Sequence, residues 1–141
     1  MGTITMVDKK IEMIEGIGSI SIEALSKAGI TSTDKLLSVC HTKEARMDLA
    51  ERTGLSESVI LNWVNMSDLF RINGITGHTA ELLLASDIDT VQELAEEDAE
   101  SLCRTMAEVN IEMNLNLQVP TVAAVATWIA QAKELPAIIT H

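Results

Sequence analysis

Two glycines one residue apart, Gly16 and Gly18 in the stretch "IEGIGSI", introduce an amphipathic segment. Glycines at this spacing allow a sharp backbone turn, so the amides that follow lie at the start of a helix. Such amides attract anions, because the positive end of the helix dipole lies with them. The turn is either a phosphate-binding site made by Gly16, Ile17, Gly18, Ser19 and Ile20 or a structural corner, and we favour the corner. Both glycines are expected to resist β-branched replacements.

A backbone site of this kind needs cations to bind a nucleic acid with useful affinity. The basic residues of the first half that could supply them are Lys9, Lys10, Lys43, Arg46 and Arg52. They would have to gather on one face around the turn. In the stretch "KEARMDLAER", however, acidic residues stand at helical spacing from the basic ones, so local ion pairs are available. We therefore expect scattered pairs and no continuous basic surface.

No catalytic residue and no metal site is expected. Cys40 and His41 could suggest a nucleophile and its base, but adjacent residues at a helix end point in different directions. The acidic residues from Asp87 to Glu100 lack the spacing and central glycine of a calcium loop, which indicates a solvated face. Cys40 and Cys103 are expected to be reduced core thiols, with a disulfide between them as the alternative. No cofactor is implied.

The composition indicates one all-helical domain. Of 141 residues, 47% are hydrophobic and 2% aromatic, so the core must use aliphatic side chains, which suits packed helices. The formal net charge is -11; residues 1–70 hold seven basic and ten acidic residues, and residues 71–141 hold three and eleven. This charge repels nucleic acids and anionic membranes at long range. Without a long apolar run or a secretion signal, we expect a cytoplasmic protein.

The chain shows an internal duplication with an offset of 58 residues. Aligned pairs include Gly16 with Gly74 and Ile17 with Ile75, and Trp63 aligns with Trp128 after a seven-residue insertion in the second half. The second hairpin has lost its second glycine and is predicted to be degenerate; it comprises Gly74, Ile75, Thr76 and Gly77. We predict tails at 1–10 and 137–141 and units at 11–71 and 72–136, packed as one domain. Each unit is a hairpin pair of helices followed by two further helices.

Capping residues and apolar periodicity predict the helices. Thr31 with Asp34 and Thr90 with Glu93 have the spacing of capping boxes, and Ser56 and Thr121 are predicted N-caps. Steps of three and four residues predict two core-facing stripes: Val59, Trp63, Met66 and Phe70, and Leu102, Met106, Val109 and Met113.

The stretch "VNIEMNLNLQV", residues 109–119, fits two periods. It alternates apolar and polar residues as a strand does, while its first half continues a helical stripe. We predict that the helix ends near Asn114 and that residues 115–119 are extended. This segment is interpreted as a connection laid over the core, with an exposed edge that recruits a partner as the alternative.

The first hairpin resembles the helix-hairpin-helix motif, which binds the DNA backbone without sequence specificity in many repair and recombination proteins. The apolar-x-Gly-apolar-Gly signature stands at Ile14 to Gly18, followed by Ala24, Leu25 and Gly29. Active copies of the motif usually carry Lys or Arg just after the second glycine, whereas this chain has Ser19, Ile20 and Ser21. The resemblance therefore implies the fold more strongly than DNA binding.

The whole chain resembles a bacterial family known as domain of unknown function 4332. The resemblance covers about residues 11–136 and is carried by "IEGIG", "AGI", "LAERTGLSESVILNWVN", "DLFRINGI" and "VATWIAQAKEL". It implies an all-α fold of tandem helix-hairpin-helix units and no defined activity. Thr76 and Asp87 stand where the motif has glycine.

These observations predict a non-enzymatic helical interaction module that binds a protein partner. The alternative is weak, sequence-independent DNA-backbone binding through the first hairpin, which the net charge opposes. No membrane partner is expected. Self-association is compatible with the sequence, which does not name the partner.

Overall fold

A computed structural model describes residues 10–14 and 16–141, and within these ranges the chain forms eight α-helices and no strand. The predicted all-α class is confirmed. A 3-10 turn at Ile11–Met13 precedes the helices, which are α1 (Ser19–Lys27), α2 (Thr33–Val39), α3 (Lys43–Thr53), α4 (Glu57–Leu69), α5 (Gly77–Ala85), α6 (Val91–Ala95), α7 (Ala99–Glu112) and α8 (Val122–Lys133). None of these helices is long and apolar enough to cross a membrane.

Within the described part of the chain, a side chain caps the start of every α-helix except α1. The capping residues are Ser32, Thr42, Ser56, Thr76, Thr90, Asp98 and Thr121. The predictions for Ser56, for Thr121 and for the capping box of Thr90 with Glu93 are confirmed.

The predicted capping box at Thr31 is wrong. The cap of α2 is Ser32, whose hydroxyl accepts a hydrogen bond from the Lys35 amide at 3.1 Å. The Thr31 carbonyl instead accepts a hydrogen bond from the Ile11 amide at 3.1 Å. This contact with the 3-10 turn ties the backbone at Thr31 to the preceding segment, so the helix starts after Ser32.

Helix α4 lies at the centre of the first half. It packs on α2, α3 and α5, and eight of its residues are buried, Trp63 among them. In the second half, α8 packs on α6 and α7 and buries Trp128. The predicted stripes are buried at Trp63, Met66 and Phe70 and at Leu102 and Met106, and Val109 is half-buried. At the outer ends of the stripes, Val59 is 42% exposed and Met113 is 57% exposed. The stripes therefore extend beyond the core at these ends.

A buried aspartate connects the two halves. Asp68, at the end of α4, accepts a hydrogen bond from the Val91 amide at 2.8 Å, and this amide opens α6. Its other carboxylate oxygen pairs with the Arg71 guanidinium at 2.8 Å. Arg71 also donates to the Pro136 carbonyl at 2.8 Å, just after α8. These contacts join α6 and the end of the second half to α4.

The two hairpins share a backbone conformation. Gly16 has φ +83° and Gly74 has φ +99°. The amide after each glycine donates a hydrogen bond to the carbonyl three residues before it, from Ile17 to Ile14 and from Ile75 to Ile72. The ends of α1 and α5 also match: the amide of Ile30 donates to the Leu25 carbonyl at 2.9 Å, and that of Ile88 donates to the Leu83 carbonyl at 2.9 Å. These matches support the duplication, which stays a prediction.

The segment after α7 is a connection held by one asparagine. Helix α7 ends at Glu112, and Asn114 and Asn116 adopt φ +52° and +55°, so residues 115–119 are not extended throughout as expected. The Asn110 side chain donates to the Leu117 carbonyl at 2.7 Å and accepts from the Leu117 amide at 2.9 Å. Asparagine tolerates the left-handed conformation, which breaks the strand-like alternation.

Residues 137–141 lie against the first half. The Thr140 amide donates to the His41 carbonyl at 2.8 Å, and the Thr140 carbonyl accepts from the Arg46 guanidinium at 2.9 Å. Ile138 and Ile139 are half-buried and pack on the core. The segment predicted as a C-terminal tail therefore contributes to the packed body.

Candidate functional site

The first hairpin is a tight turn on the surface of the molecule. Gly16 is exposed and takes a left-handed φ of +83°, which favours glycine, while Ile17 is half-buried and packs against the core. Gly18 has an ordinary φ of -88°, and a Cβ placed there would meet no atom within 4 Å. The expectation that Gly18 resists replacement is therefore wrong, because neither its backbone angle nor a close neighbour requires glycine.

Among the described residues, no side chain caps the first amides of α1. Gly18 is the N-cap and makes no side-chain hydrogen bond to the helix. Ser19 is exposed, and Ile20 in the same turn is 83% exposed. An approaching anion or protein group can therefore reach these amides.

Arg46 cannot support this turn, because its guanidinium is used inside the molecule. The side chain is 1% exposed and pairs with the Glu57 carboxylate at 3.1 Å. It also donates to the Cys40 carbonyl at 3.1 Å and to the Thr140 carbonyl at 2.9 Å. The inclusion of Arg46 in the basic support is thus corrected: this arginine joins α3, α4 and the C-terminal segment.

The other predicted basic residues are distributed over the surface. Lys9 lies outside the described residues, and Lys10 and Lys43 are exposed. Arg52 pairs with Asp48 at 3.0 Å, in the local pairing that the sequence predicted. Arg52 lines a groove together with Ile20, near the start of α1. Arg46, in contrast, is buried.

A groove of about 330 Å³ lies beside the first turn of α1, and we call it the α1–α3 groove. Its lining residues come from α1 and the end of α3: Ile20, Glu23, Ala24, Lys27, Arg52 and Thr53. Lys27 pairs with Glu23 at 3.2 Å, and both basic side chains at the groove are therefore in ion pairs. The groove therefore combines one prominent apolar side chain with ion pairs.

The exposure of the Ile20 side chain was not predicted, although the sequence carries a signal for it. Ile20 stands five residues before Leu25, the buried residue of α1. At 3.6 residues per turn, positions five apart lie on nearly opposite sides of a helix. The burial of Leu25 thus places Ile20 outside.

The second hairpin differs from the first at the start of its helix. The Thr76 hydroxyl accepts from the Thr79 amide at 3.4 Å, so a side chain caps α5. Ile75 and Gly77 are buried. A Cβ on Gly74 would lie 2.9 Å from the Trp128 indole nitrogen, so close packing as well as the positive φ requires glycine there.

The Cys40–His41 pair is not arranged as a nucleophile and base. The Cys40 thiol is buried, and its burial raises its pKa, against which the charges of Arg46 and Arg52 act. The His41 Nδ1 atom lies 3.0 Å from the Ser38 carbonyl oxygen. Cys40 and Cys103 are both free thiols, as predicted. Among the described residues, no group of His, Cys, Asp and Glu is placed to hold a metal ion.

The comparisons with known proteins give a family and no activity. The family model described as "Domain of unknown function (DUF4332)" matches residues 15–135. Comparison with curated proteins found no match, and comparison with solved structures found none either. Because the matched residues make up most of the chain, the protein belongs to the DUF4332 family.

Proposed function

We propose that this protein is a non-enzymatic helical interaction module that binds a protein partner through the α1–α3 groove. The observation that carries the proposal is the 83% exposure of Ile20 at the edge of that groove. Burial of an exposed apolar side chain against a partner removes apolar surface from water and so stabilises a protein interface.

The charge of the chain favours a basic partner. The formal net charge is -11, and the cations at the groove, Lys27 and Arg52, are each paired with a carboxylate. Long-range attraction would therefore bring a positively charged protein to the module, and apolar contact at Ile20 would hold it.

Cytoplasmic location agrees with the two free thiols and is part of the same proposal.

Affinity capture from the native host, with and without nuclease, tests this function. Wild-type protein, Ile20→Ser and Ile111→Ser are used as baits; Ile111 is 75% exposed on α7 and is the matched control. The captured protein is then purified and its affinity measured. We expect Ile20→Ser to weaken binding at least about tenfold and Ile111→Ser to leave it unchanged. Equal binding by both variants would contradict a role for the groove.

A second candidate, DNA-backbone binding, is favoured by one feature of the same region. Of the described α-helices, α1 alone begins without a side-chain cap, and Arg52 and Lys27 lie within the adjoining groove. The net charge opposes it, as does the internal use of Arg46. We therefore expect a dissociation constant weaker than about 100 μM for duplex DNA at physiological salt.

Fluorescence anisotropy with a short duplex separates the two candidates. Gly18→Ser supplies a hydroxyl that competes for the free amides of α1 and leaves the turn intact. If DNA binds in the low micromolar range, and Gly18→Ser and Arg52→Gln weaken it while Ile20→Ser does not, DNA binding is the function of this hairpin. If duplex DNA binds weakly and none of the three variants changes its affinity, the result favours the protein partner as the ligand.

A further inference from the structure

A second concave surface lies beside the degenerate hairpin, on the other half of the chain. This cavity has a volume of about 520 Å³. Its lining includes the start of α5, with Thr76, His78 and Thr79, and residues 116–121. Hydrogen bonds between the Asn110 side chain and the Leu117 backbone hold the latter segment in position.

Trp128 completes the cavity with an unused hydrogen-bond donor. The residue is 6% exposed and forms part of the wall. Its indole nitrogen faces the second hairpin, since it would lie 2.9 Å from a Cβ on Gly74, two residues before Thr76. Among the described residues, no hydrogen bond satisfies this N–H, and the atom is not fully buried, so solvent reaches it. The wall therefore offers a donor that a ligand can satisfy.

The cavity is free of carboxylates in a strongly acidic protein. The chain has 21 aspartates and glutamates, yet none is among the ten lining residues. Two of the lining residues, Thr76 and Thr121, are the N-caps of α5 and α8, so the positive ends of two helix dipoles lie at the same cavity. Electrostatics thus favours a negatively charged ligand at this place.

Four of the lining residues suit an apolar group. Leu117, Val119, Pro120 and the indole ring of Trp128 line the cavity, and its volume is in the range of small-molecule sites. We propose that this cavity binds a small organic anion, a carboxylate or phosphate carried on an apolar or planar group. The indole N–H meets the anionic oxygen, and the apolar residues contact the rest of the ligand.

NMR titration of the wild-type protein tests this site directly. The probes are benzoate, phenyl phosphate, inorganic phosphate and the neutral benzyl alcohol, each added to about 10 mM, a range that detects millimolar dissociation constants. The indole N–H signals of Trp128 and Trp63 are followed together, so Trp63 is an internal control. We expect benzoate or phenyl phosphate to shift the Trp128 signal saturably and to leave that of Trp63 in place.

Comparison of the probes shows which part of the proposal holds. A preference for benzoate assigns a carboxylate, and a preference for phenyl phosphate assigns a phosphate. Benzyl alcohol should bind at least about tenfold more weakly than the better anion. Equal binding of benzyl alcohol would overturn the anionic requirement, and inorganic phosphate binding as well as phenyl phosphate would overturn the organic one. No shift of Trp128 with any anion would overturn the site.

A charge placed at the rim gives the matched test. Gln118 is exposed and lines the cavity, so Gln118→Glu adds a carboxylate there without disturbing the core. We expect Gln118→Glu to weaken anion binding at least about tenfold, because like charges repel. Gln118→Met keeps the site uncharged, and Gln92→Glu adds a charge on the exposed face of α6. The anion affinity of both variants should stay within about twofold of that of the wild type. An unchanged affinity in Gln118→Glu would place the bound anion elsewhere.

Discussion

Arg46 should be among the residues that most affect stability. Its buried guanidinium has three acceptors, on Glu57, Cys40 and Thr140, and these would lose their partner together. Arg46→Met is expected to lower the free energy of unfolding by about 3 kcal/mol. Arg52→Met, which removes a half-exposed pair with Asp48, should cost less than about 0.5 kcal/mol. Urea melts of both variants measure the difference, and equal costs would show that burial of Arg46 is unimportant.

The glycines of the hairpins should differ in their tolerance of alanine. Gly74→Ala must accommodate a positive φ and a contact of 2.9 Å with Trp128, so a loss of about 2 kcal/mol or more is expected. Gly16→Ala meets the backbone strain alone and should cost about 1 kcal/mol. Gly18→Ala should be close to neutral. Thermal melts rank the three, and a Gly18→Ala variant as unstable as Gly74→Ala would contradict the turn geometry.

Asp87 holds a conformation that favours glycine. Its φ is +66°, at the position where the first half has Gly29 with φ +84°. Asp87→Gly is expected to raise the free energy of unfolding by about 1 kcal/mol, because glycine adopts this φ without steric strain. The reverse change, Gly29→Asp, should lower it by a similar amount. Denaturant melts of both variants provide the measurement, and a destabilised Asp87→Gly would mean that the carboxylate has a structural role.

Helix α1 should open more readily than α4. Leu25 is the one buried residue of α1, whereas eight residues of α4 are buried at the centre of the first half. Segments with few buried apolar contacts exchange through low-energy local openings. Hydrogen exchange followed by NMR should therefore show protection in the middle of α1 at least about tenfold lower than in the middle of α4. Equal protection would indicate that α1 opens together with the core.

Removal of residues 137–141 should weaken contacts that span the molecule. The deletion removes the Thr140 carbonyl from Arg46 and the packing of Ile138 and Ile139, and a loss of about 2 kcal/mol is expected. In the Arg46→Met background the same deletion should cost less, because both changes disrupt one hydrogen-bond network. Thr140→Ala, which keeps the backbone carbonyl, is the control. Additive losses in denaturant melts would show that the segment is not coupled to Arg46.

The local features of this protein could be predicted from its sequence. The helical class follows from aliphatic periodicity and scarce aromatic residues, and the capping box at Thr90 and Glu93 lies within four residues of chain. The turn at Gly16 could also be predicted, because its left-handed φ depends on the glycine itself. The burial of Trp63 followed from an apolar stripe at helical spacing, and that of Trp128 from its alignment with Trp63.

Contacts between distant parts of the chain were decided by the tertiary structure. Helical spacing placed Arg46 among surface ion pairs, yet its acceptors include Thr140 at the other end of the chain. The close packing of Gly74 on Trp128 and the cavity beside them also join segments far apart in sequence. Local propensity and spacing report on neighbours within one or two helical turns, whereas burial and cavities depend on which surfaces the folded chain brings together. The same limit explains why Ile20 was first considered for its amide, although its exposed side chain is what the groove presents.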